Sequence, residues 1–131
     1  MYKTRILIVD DDVNLSNLVG IILQRTGLYD VKVENRSSQA LTVARDFRPQ
    51  LVLLDVDMPG MDGGDIAAQL RADAALKSVP IIFFTSLVGQ SESGDGLVKL
   101  GGDHFLAKHV KPAVLVRCIA ERLAGTSQLA A

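Results

Sequence analysis

Three carboxylates, one hydroxyl and one ammonium stand out in this 131-residue sequence because each follows a short apolar run. Asp10 and Asp11 follow Ile6-Leu7-Ile8-Val9, Asp55 follows Leu51-Val52-Leu53-Leu54, Thr85 follows Ile81-Ile82-Phe83-Phe84, and Lys108 follows Phe105-Leu106-Ala107. Carboxylates crowded together repel one another and raise each other's pKa unless a cation joins them. The natural occupant is Mg²⁺, a hard ion that takes one or two carboxylates, keeps several waters and accepts phosphate oxygens. Such a set points to phosphoryl chemistry. Asp55, nearest the middle, is the carboxylate placed to attack a phosphorus and give an acyl phosphate. Mg²⁺ and Lys108 would neutralise charge on the transferred group, and the Thr85 hydroxyl would donate to one of its oxygens.

That chemistry requires the five side chains in one crevice, which only the elements carrying them can arrange. Leu51 to Leu54 show no period-two alternation and read as a central strand buried on both faces, stopping at Asp55 before the breakers Pro59-Gly60 and Asp62-Gly63. Ile6 to Val9 read as strand one. Leu15, Leu18, Val19, Ile22 and Leu23 then fall at helical spacing, with Gly27 as the stop. Val31 and Val33 alternate with charges, so strand two belongs at an edge. Ser37 or Ser38 caps a second helix with Ala40, Leu41, Ala44 and Phe47 inward, ended by Pro49, and a third helix runs from Asp65 to about Asp73 with Ile66, Ala67 and Leu70 inward. Strand four is Ile81 to Phe84. The glycine-rich stretch from Leu87 to Gly102 predicts only a short fourth helix, Gly96 to Leu100, because each glycine disfavours a helix interior by roughly 1 kcal/mol. Phe105 to Ala107 make a brief fifth strand, and Pro112 opens a last helix with Leu115, Ile119 and Leu123 on one face, closed by Gly125.

Strands joined by helix-length connections give an α/β fold, a five-stranded parallel sheet with helices on both faces and right-handed crossovers. The expected strand order is 2-1-3-4-5, flavodoxin-like. Strands one and three are then neighbours at the switch point, and Asp10, Asp11, Asp55, Thr85 and Lys108 all reach one crevice at the carboxyl ends of the strands. The length fits one domain, residues 1–125, with a tail at 126–131. Fourteen basic against fifteen acidic residues give a net charge of -1, so neither nucleic acid nor an anionic membrane is expected as a direct partner. The lone Cys118 reads as a small buried hydrophobe. No signal peptide or apolar run near 18 residues is present in the sequence, and the expected location is the cytoplasm.

Four segments taken together carry a resemblance: Ile6 to Asp12, Leu53 to Gly63, Pro80 to Ser86 and Gly101 to Lys108. In order and spacing they resemble the receiver domain of two-component response regulators, the CheY-like fold, over about residues 4 to 124. The resemblance implies that Asp10 and Asp11 are the acidic pair for Mg²⁺, that Asp55 accepts a phosphoryl group from a sensor histidine kinase or His-phosphotransfer protein, and that the backbone carbonyl of Asp57 completes the metal's protein ligands. It also implies a switch hydroxyl at Thr85, a switch aromatic at Phe105 and a phosphate-contacting lysine at Lys108. Output would pass to a protein target through the face of the fourth helix, fifth strand and fifth helix, with a phosphorylation-dependent homodimer as a further implication. Such a domain is no enzyme beyond its own phosphorylation and dephosphorylation.

Two departures from the family pattern bear on function. His109 stands where a receiver usually has proline; a cis Lys108-His109 bond would cost about 3 kcal/mol, so the loop either stores strain or runs trans. The stretch from Thr85 to Phe105 is one residue longer than in the commonest receivers. Two competing readings follow. A degenerate receiver would act only as an interaction module. Asp55-Val56-Asp57 also resembles the D-x-D of haloacid-dehalogenase-type phosphatases, but that family places its acidic pair late and covers its site with a cap that 131 residues do not accommodate.

Overall fold

A computed structural model describes residues 2–86 and 96–130. Its elements alternate as the apolar runs predict: β1 (Thr4–Val9), α1 (Val13–Gln24), β2 (Tyr29–Glu34), a single 3₁₀ turn (Ser37–Gln39), α2 (Ala40–Phe47), β3 (Leu51–Asp55), α3 (Gly63–Ala72), β4 (Ile81–Thr85), β5 (Val98–Leu100), β6 (Asp103–Ala107) and α4 (Pro112–Ala130). One sheet has the order β2-β1-β3-β4-β6-β5. The β2-β1, β1-β3, β3-β4 and β4-β6 pairs are parallel, so the expected 2-1-3-4-5 order holds with β6 as the predicted fifth strand.

The central strands divide their side chains strictly by period two between two cores. Ile6, Ile8, Leu51, Leu53, Ile82, Phe84 and Leu106 pack with α1 and α4 residues such as Val19, Leu23, Leu115 and Ile119. Leu7, Val9, Val52, Leu54, Ile81 and Phe83 pack on the other face with Ala40 and Ala44 of α2 and Ile66, Ala67 and Leu70 of α3. Each buried aliphatic or aromatic side chain contributes about 1.5–3 kcal/mol of transfer free energy, which fixes the register of the central strands and hence where their carboxyl ends lie. Cys118 lies in the first core, as expected of a small hydrophobe.

Three expectations need correction. Gly96 to Leu100 form no helix: Val98–Leu100 is a sixth strand, antiparallel to β6, with Leu100 opposite Asp103. The two residues between them, Gly101 and Gly102, have φ of 58° and 88°. A two-residue turn with both φ positive is the hairpin connection that matches strand twist, so the glycines favour a hairpin as well as disfavouring a helix. The part of the expected fourth-helix region on 87–95 lies outside the described residues. Secondly, α4 continues through Gly125 to Ala130 rather than closing at Gly125. Thirdly, α1 turns Ser16, Val19, Gly20 and Leu23 to the core, leaving Leu18 54% exposed. The small Ser16 and Gly20 let α1 lie close on β2, where a Cβ on Gly20 would sit 3.6 Å from Val33.

Candidate functional site

The carboxyl ends of β1 and β3 are adjacent, with Val9 opposite Leu54, so the residues after them meet. Asp10, Asp11 and Asp55 each present a carboxylate oxygen within 4.8 Å of the others. Asp10 and Asp55 are buried, at 2% and 4% exposure, whereas Asp11 is exposed at the mouth. Lys108, just past β6, closes the crevice from the other side: its Nζ lies 3.0 Å from Asp55 Oδ1 and 3.1 Å from Asp10 Oδ2. His109 follows Lys108, and every described peptide bond is trans, so the Lys108-His109 link carries no cis strain. The Lys108 N-H donates to the Thr85 carbonyl at 3.1 Å, which sets the lysine's height above β4.

Local geometry fixes each acid differently. Asp12 caps α1, its Oδ1 accepting from the Leu15 N-H at 3.0 Å, so it faces the helix rather than the crevice. Its own N-H donates to Asp10 Oδ1 at 2.9 Å. Both oxygens of Asp10 are thus engaged, one by Asp12 and the other by Lys108. Asp55 Oδ1 accepts from the Asp57 N-H at 3.4 Å as well as from Lys108. The loop after Asp55 is held by the Gly63 N-H, which donates to the Val56 carbonyl at 2.9 Å, and by a capping box in which Asp62 and Asp65 exchange side-chain and backbone bonds at the start of α3. The Asp57 side chain is exposed and stands outside the three-carboxylate cluster.

Burial pushes the Asp55 carboxyl up to about 6, the Asp10 charge adding to this and the Lys108 hydrogen bond opposing it only in part. Burial alone would pull Lys108 down, yet its bonds to Asp55 and Asp10 and their charges hold it above its ordinary value. Three carboxylates against one ammonium leave the crevice short of positive charge. The donor set is all oxygen and suits a hard divalent cation.

Thr85 is buried at the end of β4, one residue beyond Phe84, the strand partner of Asp55. Phe105 is half-buried on β6 and stacks on Phe83 of β4, ring centroids 5.1 Å apart and planes at 24°. The sequence reading did not single out Asn35, whose side-chain amide donates to the Asp10 carbonyl at 2.7 Å. No local signal marks it, because the contact spans 25 residues.

The family model of the response regulator receiver domain matches residues 6–120. The DNA-binding response regulator MtrA of Mycolicibacterium paratuberculosis is 40% identical over 121 residues, covering 92% of this chain and 52% of that protein. The phosphate regulon transcriptional regulatory protein PhoB of Pseudomonas aeruginosa is 33% identical over 116 residues, covering 88% of this chain and 50% of that protein. Among solved structures, a putative response regulator from Chloroflexus aurantiacus superposes with a TM-score of 0.78 at 27% identity, covering 94% of this chain and 99% of that one. The chain spans about half the length of these curated relatives. The expectation that nucleic acid is no partner is thereby corrected, since MtrA is a DNA-binding regulator by name. The net charge of -1 counts only these 131 residues, whereas MtrA extends over about twice the length matched here. Among the described residues, no helix is long and apolar enough to cross a membrane.

Proposed function

The chain belongs to the response regulator receiver family, and from that premise we propose that it is a phosphoacceptor domain in which Asp55 takes a phosphoryl group from a phosphohistidine donor. A carboxylate oxygen of Asp55 attacks the phosphorus, the P-N bond breaks, and the imidazole nitrogen leaves with the bonding pair. Asp11 and Asp55 would hold Mg²⁺ directly, with the Asp57 carbonyl, and Asp10 would act through water, because both Asp10 oxygens already have partners in Asp12 and Lys108. When bound, Mg²⁺ supplies positive charge against the phosphoryl oxygens.

The observation that carries the reading is the bridging of Asp55 and Asp10 by one ammonium, at 3.0 and 3.1 Å. An ammonium already fixed beside the acceptor oxygen stabilises charge that develops on the transferred group without reorganising first. Burial of Asp55 keeps bulk water off the acyl phosphate, and its raised pKa makes it a better nucleophile than an exposed aspartate once ionised at neutral pH. Thr85 and Phe105 form the switch in this reading: the Thr85 hydroxyl turns to the new phosphoryl group, and the space it leaves lets Phe105 shift from its stack on Phe83. The surface around β6, β5 and α4 reports the change. As MtrA is by name a DNA-binding response regulator, the output in a longer protein would be control of DNA binding.

Incubation with Mg²⁺ and acetyl phosphate, followed by mass spectrometry, tests the reading. Asp55 should gain one phosphoryl group, and Asp55→Asn should gain none. Undiminished modification of the variant, mapped to Asp57 or Asp11, refutes the assignment. A chain that takes no phosphoryl group or beryllofluoride at all is instead the degenerate interaction module.

A further inference from the structure

The acidic loop is held from an element that the phosphoryl chemistry does not touch. Asn35 follows β2, and its Nδ2 donates to the Asp10 carbonyl at 2.7 Å and to Ser16 Oγ at 2.9 Å. An amide nitrogen has two hydrogens, so both are committed. Ser16 is buried, and its hydroxyl hydrogen is directed back along α1, to the Asp12 carbonyl at 2.8 Å or the Val13 carbonyl at 3.2 Å, which leaves it an acceptor toward Asn35. The residue before Asn35 completes the hold, since the Glu34 carbonyl accepts from the Asp10 N-H at 3.2 Å. The end of β2 therefore fixes both polar groups of the Asp10 backbone, and through Ser16 it reaches the backbone of Asp12 or its neighbour. Asp11 lies between those two anchors, exposed and at the mouth of the carboxylate cluster.

We infer that Asn35 is a positioning residue for metal binding: it clamps the Asp10 to Asp12 loop so that the Asp11 carboxylate faces Asp55 before a cation arrives. This rests on the reading that Asp11 and Asp55 hold Mg²⁺. The energy lies in preorganisation, because a loop fixed in advance loses less freedom when its carboxylate coordinates. Groups one step behind a metal's ligands act in this way, and their loss weakens metal affinity by roughly tenfold or more.

Calorimetric titration of the 131-residue chain with MgCl₂ at constant ionic strength tests this. Asn35→Ala and Ser16→Ala should each raise the Mg²⁺ dissociation constant by about tenfold. Phosphorylation by acetyl phosphate should return to the wild-type rate when Mg²⁺ is saturating, because the variants touch neither Asp55 nor Lys108. A lowered melting temperature with an unchanged Mg²⁺ dissociation constant would mean that Asn35 only closes the strand end, and would overturn the inference. Should Asn35→Ala fail to fold, Ser16→Ala breaks the same relay, and unchanged affinity in it is equally fatal. Asp11→Ala in the same titration separates the two readings. Loss of binding there with retention in Asn35→Ala defeats the clamp alone, whereas wild-type binding by Asp11→Ala defeats the metal assignment and the clamp with it.

Discussion

Gly63→Ala should both destabilise the fold and slow phosphorylation of Asp55, because α3 begins against the backbone of Asp55, the proposed acceptor. A Cβ at position 63 would strike the Asp55 carbonyl oxygen, and would lie 2.9 Å from Val56 Cα and 3.2 Å from the Asp55 carbonyl carbon. All three are backbone atoms, so no side-chain rotation relieves the overlap. Carbon atoms prefer about 3.5–4.0 Å, so the start of α3 must retreat by on the order of 1 Å from the end of β3. It is tethered there by the Gly63 N-H bond to Val56. Overpacking of this kind costs about 1–3 kcal/mol, and alanine at the first helical position returns less than the roughly 1 kcal/mol of a mid-helix Gly→Ala change. The net loss of about 1–2 kcal/mol corresponds to a fall in melting temperature of roughly 3–10 °C for a domain of this size. A displacement near 1 Å at a reacting group can cost up to about a hundredfold in rate, so acetyl phosphate labelling should slow by at least tenfold. Circular dichroism melts and timed mass spectrometry read the two effects. The neighbouring Gly64→Ala is the control: its Cβ meets only the Asp62 side chain, at 3.3 Å, and the position is exposed. Gly63→Ala that melts and labels like wild type would refute the close-approach argument.

The raised Asp55 pKa gives a pH dependence with a definite sign. Between about pH 4 and pH 6 the folded state holds a proton on Asp55 that the unfolded chain has released, so metal-free stability should fall as pH rises through that window, by on the order of 2 kcal/mol. Urea titrations across it should show the fall in wild type and its absence in Asp55→Asn; an equal fall in both would assign it to another group. Asp57→Asn should speed labelling by acetyl phosphate, most clearly at low salt, since its exposed charge repels an incoming anion. A slower reaction, or weaker Mg²⁺ binding, would make the Asp57 side chain a working member of the site. Arg48, which caps α2, has φ of 54°, a conformation that suits glycine better. Arg48→Gly should therefore raise stability by about 0.5–1 kcal/mol in a thermal melt, and a loss would show that the Arg48 side chain makes a compensating contact.

The sequence by itself determined the sheet and the placement of its chemistry. Unbroken apolar runs such as Leu51 to Leu54 are stable only with both faces covered, and with helix-length connections that admits few topologies. Asp10, Asp55 and Thr85 were legible because each directly ends or follows such a run, and strand ends in this topology converge. Lys108 was legible in the same way, following Phe105 to Ala107, and resemblance added the expectation of a switch role for Phe105. Tertiary structure decided whatever depends on distance rather than order. That Lys108 spans both Asp10 and Asp55 beside a trans His109 follows from the pairing of β6 with β4, which no local pattern specifies. The inward face of α1 went to Ser16 and Gly20 rather than Leu18, because close approach to β2 favours small side chains over large apolar ones. Val98 to Leu100 became a strand because Gly101-Gly102 fold it back onto β6, where its backbone gains a ladder partner that an isolated helical turn would not find. Asn35 was invisible for the same reason: a polar residue after an edge strand acquires meaning only when the sheet brings the Asp10 carbonyl within 2.7 Å of its amide.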